Sequence, residues 1–421
     1  MTEREVMEFV EENDVKFIRL AFVDLFGTMK NIAIMPTELR RAFDGGISFD
    51  ASAVKGFCDI SSSELFLKPD PNTLTVLPWR PQTGRVARMI CDCLTPEGEL
   101  FEGYSRTILR RQVEKASELG YQFRMGTEYE FYLFQADEQG EPTLRPQDAA
   151  GYMDVSPLDK GENVRREICL TLEAMGIQPE RSHHEHGPGQ NEVDFRAAGA
   201  LTAADNAMTF KTTVRTIAAQ YGLHASFMPK PLEGESGNGL HVNLSIEKDG
   251  VQLFEAPEGK LTAEAQHAMA GILRRIREIS VFLNPIPNSY KRLGSFEAPR
   301  HINWSFGNRS QLIRIPASGP GTGRMELRSP DPACNPYLAF ALMIAAAMEG
   351  IRDQTPLQKP LAVSGDLPGS LFTSIMYARE SQFVYEVLGD MQKKYTEEKK
   401  RTAARFETDP EGLFQLHLRT I

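Results

Sequence analysis

One stretch of alternating residues, Gly126-Thr127-Glu128-Tyr129-Glu130-Phe131, gives the strongest indication of how this chain folds. Residues two positions apart on a β-strand project from the same face, so Glu128 and Glu130 share one face. The aromatic residues then occupy the opposite face, which is typical of a strand that packs on a core. The stretch therefore predicts a half-buried strand that presents two neighbouring carboxylates.

Three further segments repeat the pattern, and they read Asn191-Glu192-Val193-Asp194-Phe195-Arg196, His241-Val242-Asn243-Leu244-Ser245 and Arg324-Met325-Glu326-Leu327-Arg328. Alternation in any one strand is also typical of an ordinary sheet with a solvated face. However, lysine is absent from all four segments, and with Glu185 they supply six candidate metal ligands. These candidates are Glu128, Glu130, Glu185, Glu192, His241 and Glu326.

The chemistry of these six residues indicates a divalent metal site. Converging carboxylates repel one another strongly unless cations lie among them. One histidine with several carboxylates suits Mg²⁺ or Mn²⁺ better than structural zinc. Two such ions held side by side would form a site for phosphoryl transfer.

Composition narrows the class of protein. The chain has 421 residues, 41% of them hydrophobic and 25% charged, which is ordinary for a globular protein of two or three domains. A formal net charge of −10 argues against a nucleic-acid partner. The five cysteines are few and odd in number, and the N-terminus is acidic and lacks a signal peptide, which together predict a cytoplasmic protein. No apolar run reaches the length of about 20 residues that a membrane span needs, so we expect no membrane partner.

The order of strand and helix patterns predicts two domains of the α+β class. Strand patterns at Val15–Leu20, Leu74–Pro78 and Ala87–Cys91 indicate a small unit that ends near residue 100. Helical patterns beginning at Ser105 and the polar-faced strands then follow in a larger unit. We therefore expect an N-terminal domain over 1–100 and a catalytic domain over 101–421.

At the strand motifs the chain resembles type I glutamine synthetase, and the resemblance extends from about residue 10 to residue 350. It implies a β-grasp-like N-terminal domain, followed by a catalytic domain with an antiparallel sheet of polar-faced strands surrounded by helices. The motifs that carry it are Phe49-Asp50-Ala51-Ser52, Glu128-Tyr129-Glu130-Phe131, His183-His184-Glu185, Pro188-Gly189-Gln190-Asn191-Glu192, Gly237-Asn238-Gly239-Leu240-His241, Asn288-Ser289-Tyr290-Lys291-Arg292-Leu293, Asn308-Arg309-Ser310, Ile313-Arg314-Ile315-Pro316 and Asn335-Pro336-Tyr337.

The resemblance also implies an activity and its cofactors. Members of the family make glutamine from L-glutamate, ammonium and ATP through γ-glutamyl phosphate, with two to three Mg²⁺ or Mn²⁺ ions. One ion would be held by Glu130, Glu185 and Glu192. A second would be held by Glu128, His241 and Glu326.

Further residues match the family's substrate and nucleotide positions. Glutamate would be bound by Arg292, Arg328, Asn238 and Gly239. The nucleotide would be bound by His184, Ser245, Arg309 and Arg324. Arg314 matches the family's arginine that stabilises phosphoryl transfer. A guanidinium can do this because it offsets the negative charge that develops on the phosphoryl group.

The ammonium site would combine Asp50 of a neighbouring subunit with Tyr152 and the flap residue Glu297. A carboxylate cluster binds NH₄⁺ and accepts its proton, since ammonia must be neutral to attack. A site shared in this way implies a homo-oligomer, and in this family a dodecamer of two hexamer rings.

Two departures from the family leave the acceptor open. Ala53 lacks the hydroxyl that the family usually has, and the flap between Arg292 and Glu297 is one residue shorter. Both changes lie near the ammonium site, so a γ-glutamyl-amine ligase that uses an organic amine is the alternative. A non-catalytic relative is disfavoured because all six candidate metal ligands are present.

Overall fold

The computed structural model describes residues 1–255, 261–319 and 321–421. Its strands are β1 (Val15–Val23), β2 (Met29–Ile34), β3 (Ile47–Asp50), β4 (Glu64–Pro69), β5 (Thr75–Val76), β6 (Arg85–Leu94), β7 (Tyr121–Ala136), β8 (Pro142–Pro146), β9 (Pro179–His184), β10 (Gln190–Gly199), β11 (Leu223–Ser226), β12 (Leu240–Lys248), β13 (Val251–Gln252), β14 (Trp304–Phe306), β15 (Ile313–Ile315) and β16 (Met325–Leu327). Its α-helices are α1 (Glu3–Glu12), α2 (Leu39–Gly45), α3 (Ser105–Glu118), α4 (Glu162–Ala174), α5 (Ala200–Gln220), α6 (Ala263–Leu283), α7 (Ser289–Arg292), α8 (Pro336–Arg352), α9 (Leu371–Glu380), α10 (Gln382–Leu388), α11 (Met391–Thr408) and α12 (Pro410–Thr420).

The N-terminal part is a small mixed sheet in the order β2-β1-β6-β4-β3. Strand β1 pairs with β2 in antiparallel and with β6 in parallel orientation. Helix α1 begins at a capping box, in which Thr2 accepts from the backbone of Glu5 and Glu5 accepts from that of Thr2. Apolar residues of the strands, α1 and α2 form a separate core for this sheet.

The larger part is built on a second sheet in the order β14-β15-β16-β12-β7-β10-β9. Its central strand, β7, is 16 residues long and pairs in antiparallel orientation with β10 and β12. The apolar faces of these strands pack into the main core with α5 and α8. The predicted α+β class, with a polar-faced antiparallel sheet surrounded by helices, is confirmed.

Helix α8 fills the centre of this core. The sequence predicts a buried helix near Tyr337–Met348, and nearly every residue from Pro336 to Ala347 is buried. Among the described residues, no helix is both long enough and apolar enough to cross a membrane. The expected domain boundary near residue 100 falls in the segment between β6 and α3.

A buried arginine joins the small sheet to helix α5 of the larger part. Arg106, at the start of α3, is only 1% exposed. Its guanidinium contacts Asp70, which directly follows β4, at 2.9 Å, Asp92 of β6 at 2.5 Å and Asp205 of α5 at 2.9 Å. Burial alone would lower the pKa of Arg106, but the surrounding carboxylates raise it, so this residue stays charged.

We expect Arg106→Met to lower the free energy of unfolding by about 3–5 kcal/mol, because it leaves one buried and two partly buried carboxylates without their partner. Urea unfolding of the variant and the parent checks this. Arg4→Met is the control, since Arg4 pairs with Glu8 at the exposed surface and should leave the midpoint unchanged. Equal midpoints for Arg106→Met and the parent would contradict the role of this contact.

Candidate active site

Strand register brings the predicted metal ligands together on one face of the large sheet. Glu130 of β7 lies opposite Glu192 of β10. Glu128 of the same strand lies opposite His241 of β12, and Asn243 lies opposite Glu326 of β16. The other faces of these strands carry fully buried residues such as Tyr129, Val193 and Val242. Alternation therefore directs the carboxylates away from the core, as the sequence predicts.

Three of the ligands form a compact group. Nδ1 of His241 lies 3.3 Å from Oε2 of Glu128 and 3.7 Å from Oε1 of Glu326. All three residues offer a ligand atom within 4.8 Å of one another. Asn243 orients this group, because its amide donates to Glu128 at 2.8 Å and accepts from Arg324 at 3.0 Å. The set predicted for the second metal ion is thus assembled.

The other predicted set is assembled in part. Glu185, Glu192 and His183 offer ligand atoms within 4.8 Å of one another. Glu130, the third predicted ligand, is instead bonded through Oε2 to the backbone N–H of Gly239 at 2.7 Å. Its other oxygen lies 3.9 Å from Nε2 of His241, between the two groups. His183 is therefore an additional candidate ligand or ligand partner.

Burial and mutual repulsion shift the pKa values of these carboxylates. The pKa of Glu192 is raised well above its usual range by burial and by Asp194, Glu130 and Glu128. The pKa of Glu130 is raised mainly by burial. Burial would also raise the pKa of Glu128, but the hydrogen bond from His241 lowers it, to about 2. A buried group with this excess of carboxylates fits one or more divalent cations.

Arginine side chains line the opposite side of the group. Glu326 lies between Arg314 at 2.7 Å and Arg328 at 2.5 Å. Arg292 is 2% exposed and donates to the backbone carbonyls of residues 328–330 at 2.9 to 3.2 Å. The buried Nε of Arg328 has no hydrogen-bond partner among the described residues. Fixed guanidinium groups beside a carboxylate cluster are suited to binding carboxylate or phosphate groups.

These side chains meet in a cleft of about 640 Å³. The predicted site residues that line it are Glu128, Glu130, Glu185, Glu192, His241, Arg292, Arg309, Arg314, Arg324, Arg328, Tyr152 and Glu297. The predicted residues outside this lining are Asp50, His184, Asn238, Gly239, Ser245 and Glu326.

The structure does not bring His184 into the cleft. Its side chain is fully buried, with Nε2 at 2.9 Å from Asp148 and Nδ1 at 2.7 Å from the carbonyl of Glu185. Neither ring nitrogen is free to meet a nucleotide phosphate. The neighbouring His183 lines the cleft instead, because it lies opposite Glu192 in the β9–β10 register.

Asn238 and Gly239 do not line the cleft but support the residues that do. Asn238 is fully buried, and its amide donates to the carbonyls of Ser226 and Met228 and accepts from Gln190. The side chain therefore holds the backbone that carries Gly239. Ser245 lies on β12 two residues beyond Asn243, on the same strand face but farther from the metal group.

The predicted ammonium-site residues lie in three places. Tyr152 and Glu297 line the cleft. Tyr152 is 45% exposed. The side chain of Glu297 is 58% exposed and lies 3.8 Å from Arg328. Asp50 ends strand β3 in the small sheet and is exposed. Its carboxylate accepts from the backbone and the hydroxyl of Ser52 at 2.9 and 2.6 Å. Asp50 does not line the cleft of this chain, and its role in a neighbouring subunit stays a prediction.

Sequence reasoning missed some contributors to the site. The sequence pattern marks Asn243 only as a strand residue and indicates no role for His186, although His186 lines the cleft. The available signal was the run His183-His184-Glu185-His186, with three histidines around one metal ligand. The signal for Asn243 was its position between His241 and Ser245 on the polar strand face.

Gly239→Ala should reduce metal-dependent activity strongly, by about a hundredfold. A Cβ at this position would lie 2.6 Å from Nε2 of His241 and 2.8 Å from Nη2 of Arg292. The side chain of His241, a predicted metal ligand, must therefore move. Turnover against metal concentration measures the effect. Gly199→Ala is the matched control, because its Cβ would meet no atom within 4 Å. Equal turnover of both variants would show that the close approach is unimportant.

Comparison with known proteins gives consistent matches. A family model described as the glutamine synthetase catalytic domain matches residues 102–413, and one described as the glutamine synthetase beta-Grasp domain matches residues 14–96. The glutamine synthetase of Clostridium saccharobutylicum is 46% identical over 409 residues, which is 92% of each chain. That of Methanosarcina mazei is 45% identical over 406 residues, with 92% of this chain and 91% of the relative covered.

Solved structures share the architecture. A structure described as a GmaS/ADP complex superposes with a TM-score of 0.87 at 28% identity and covers 96% of both chains. The structure of Plasmodium falciparum glutamine synthetase gives a TM-score of 0.88 over 97% of both chains, and at 24% identity it supports the fold alone.

The β-grasp domain and the catalytic domain define a class of ligases that depend on ATP and divalent metal ions. The chain belongs to the glutamine synthetase family. The family resemblance predicted from the sequence motifs is thereby confirmed.

Proposed function

We propose that this protein is a glutamate–ammonia ligase that joins ammonia to L-glutamate at the expense of ATP, for nitrogen assimilation. The observation that carries the proposal is the cleft lined by Glu128 and His241, with the buried Glu326 directly behind it in contact with Arg314 and Arg328. Phosphoryl transfer requires charge neutralisation and positioning more than covalent participation of the protein. A cleft with fixed cationic groups beside a metal-binding carboxylate cluster supplies both.

The metal ligands proposed for two to three Mg²⁺ or Mn²⁺ ions are the six carboxylate and histidine residues of the sequence pattern. Bound divalent ions would neutralise the phosphate charges and orient the γ-phosphate. In this proposal Glu185 and Glu192, beside His183, would bind one ion together with Glu130, which lies between the two groups, and Glu128, His241 and Glu326 would bind the other. His183 lies in the same group as Glu185 and Glu192 and is a further candidate ligand.

In this proposal the arginines bind glutamate and the nucleotide phosphates and stabilise the transferred phosphoryl group. Arg292 and Arg328 hold the carboxylates of glutamate, and Asn238 and Gly239 support the α-amino end through the backbone. Arg314 stabilises the charge that develops on the transferred phosphoryl group. Arg309 and Arg324 line the cleft where the nucleotide phosphates would enter, with Ser245 farther along the same strand face. The similar GmaS structure holds ADP, which supports an adenine nucleotide as cosubstrate.

The acceptor site would be completed by Asp50 of a neighbouring subunit. Tyr152 and Glu297 lie in the cleft, and together with Asp50 they offer negative charge and a hydroxyl to a small cation. Ammonium would lose a proton to this group before ammonia attacks the γ-glutamyl phosphate. We propose that the protein forms a dodecamer of two hexamer rings and that it is cytoplasmic. We also propose that each chain has two domains, over 1–100 and 101–421.

We expect ammonium to be the preferred acceptor, with a Michaelis constant raised about tenfold because Ala53 lacks a hydroxyl that would contact a charged group. The measurement is glutamate-dependent phosphate release from ATP with ammonium, ethylamine, ethanolamine and putrescine. Reactions without glutamate serve as the control. A higher kcat/KM for any of the three amines would establish the γ-glutamyl-amine ligase instead, an alternative that the likeness to GmaS keeps in view.

A further inference from the structure

Three aromatic rings form one end of the cleft, and we call them the aromatic corner: Tyr152, His183 and His186. The ring of His186 stacks on that of Tyr152 with centroids 4.6 Å apart and planes 20° apart. The ring of His183 meets Tyr152 edge to face at 5.4 Å and 90°. The backbone N–H of Met153 donates to the carbonyl of His184 at 3.0 Å, which fastens the Tyr152 segment to β9.

The same two histidines hold the metal ligand Glu185. Nε2 of His183 lies 3.1 Å from Oε1 of Glu185. Nδ1 of His186 lies 2.9 Å from Oε2, and the backbone N–H of His186 donates to that oxygen at 2.9 Å. Each carboxylate oxygen of Glu185 is therefore oriented by a different histidine. The ring of His186 does this with its edge while its face packs on Tyr152.

We infer that His186 is a positioning residue that couples the metal ligand Glu185 to the acceptor-site residue Tyr152. The inference rests on the proposed function, since Tyr152 has an acceptor role only there. The side chain of His186 is 54% exposed, so its packing contributes little to the core. Its two contacts are instead directed at the two halves of the site.

The position of the Tyr152 hydroxyl shows why its orientation matters. Partial burial raises its pKa, and the carboxylates of Glu185, Glu192 and Glu297 raise it further. Tyr152 shares the cleft with these three carboxylates and with Arg309, which acts on the pKa in the opposite direction. A rotation of the Tyr152 ring would move a neutral hydrogen-bonding group away from the place where the acceptor cation must bind.

Two substitutions separate the two contacts. His186→Phe keeps a ring to stack on Tyr152 but removes the nitrogen that contacts Glu185. His186→Asn keeps an amide that can reach Glu185 but removes the stacked ring. His301→Phe is the matched control, because His301 is also half exposed and contacts a carboxylate, that of Asp366, at 2.6 Å outside the cleft.

Binding of Mn²⁺ to the substrate-free oligomer, measured by calorimetric titration, reports on Glu185. The KM for ammonium and kcat report on Tyr152. We expect His186→Phe to weaken Mn²⁺ binding about tenfold or more, with little change in the KM for ammonium. We expect His186→Asn to raise the KM for ammonium about threefold to tenfold while Mn²⁺ binding stays near that of the parent.

Parent-like Mn²⁺ binding and KM in both variants would overturn the inference, as would equal losses in His186→Phe, His186→Asn and His301→Phe. If the parent itself released no phosphate with glutamate and ammonium, the proposed function would fail. The Mn²⁺ titration would then still decide whether His186 orients Glu185.

Discussion

Glu130→Ala should lower the metal-dependent turnover by about a thousandfold or more, since divalent ions supply several kcal/mol of transition-state stabilisation. Glu130 lies between the two ligand groups, within 3.9 Å of His241 and opposite Glu192 in the sheet. Its loss therefore disturbs both groups. The measurement is phosphate release at saturating glutamate, ATP and Mg²⁺ or Mn²⁺.

The size of the oligomer by gel filtration must be unchanged for this loss to count as a site effect. Glu180→Ala on strand β9 is the control, because Glu180 is half exposed and its one ion pair within the described part of the chain is with Arg196, across 3.8 Å. It should keep full turnover. Near-normal turnover of Glu130→Ala would refute the two-metal interpretation of the cleft.

Mixing two inactive variants should restore activity if Asp50 serves the cleft of a neighbouring subunit. Asp50→Ala and Glu128→Ala each spoil one side of the shared site. After random exchange, about one interface in four combines two intact sides, so activity should recover to about a quarter of the parent. Glu128 is preferred to Glu326 for this test, because removing Glu326 would leave Arg314 and Arg328 without their partner.

A second mixture provides the control. Glu128→Ala and Glu192→Ala both damage the ligand side of the same chain, so their mixture should stay inactive at every ratio. Subunit exchange is verified with differently tagged chains. Verified exchange without recovery in the Asp50→Ala mixture would show that each cleft is complete within one chain.

The strands of the site were predictable because their chemistry is local. Alternation around Glu128, Glu192 and His241 fixes which side chains share a face, and the structure places all three on the polar face of one sheet. The position of the two adjacent histidines was not predictable in the same way. Only the register of β9 on β10, with His183 opposite Glu192, shows which ring faces the cleft.

Long-range contacts account for most of what the sequence could not show. Arg106 reads as an ordinary helix residue, yet its partners are 36, 14 and 99 positions away. Asp148 likewise gives no local sign that it binds His184 from 36 positions away. Such pairs depend on how whole elements pack, which neither periodicity nor a motif records.

The Arg106 contact has a geometrical consequence for an assembly whose clefts are shared. Each chain would lend Asp50 to one neighbour and present its metal ligands to another, so any hinge between its two sheets would misalign both sites. Because Arg106 holds Asp70 and Asp92 to Asp205, it would keep the distance and angle between the two parts of the chain constant. In the proposed ring, small angular errors would add up from chain to chain, and the Arg106 contact would limit them.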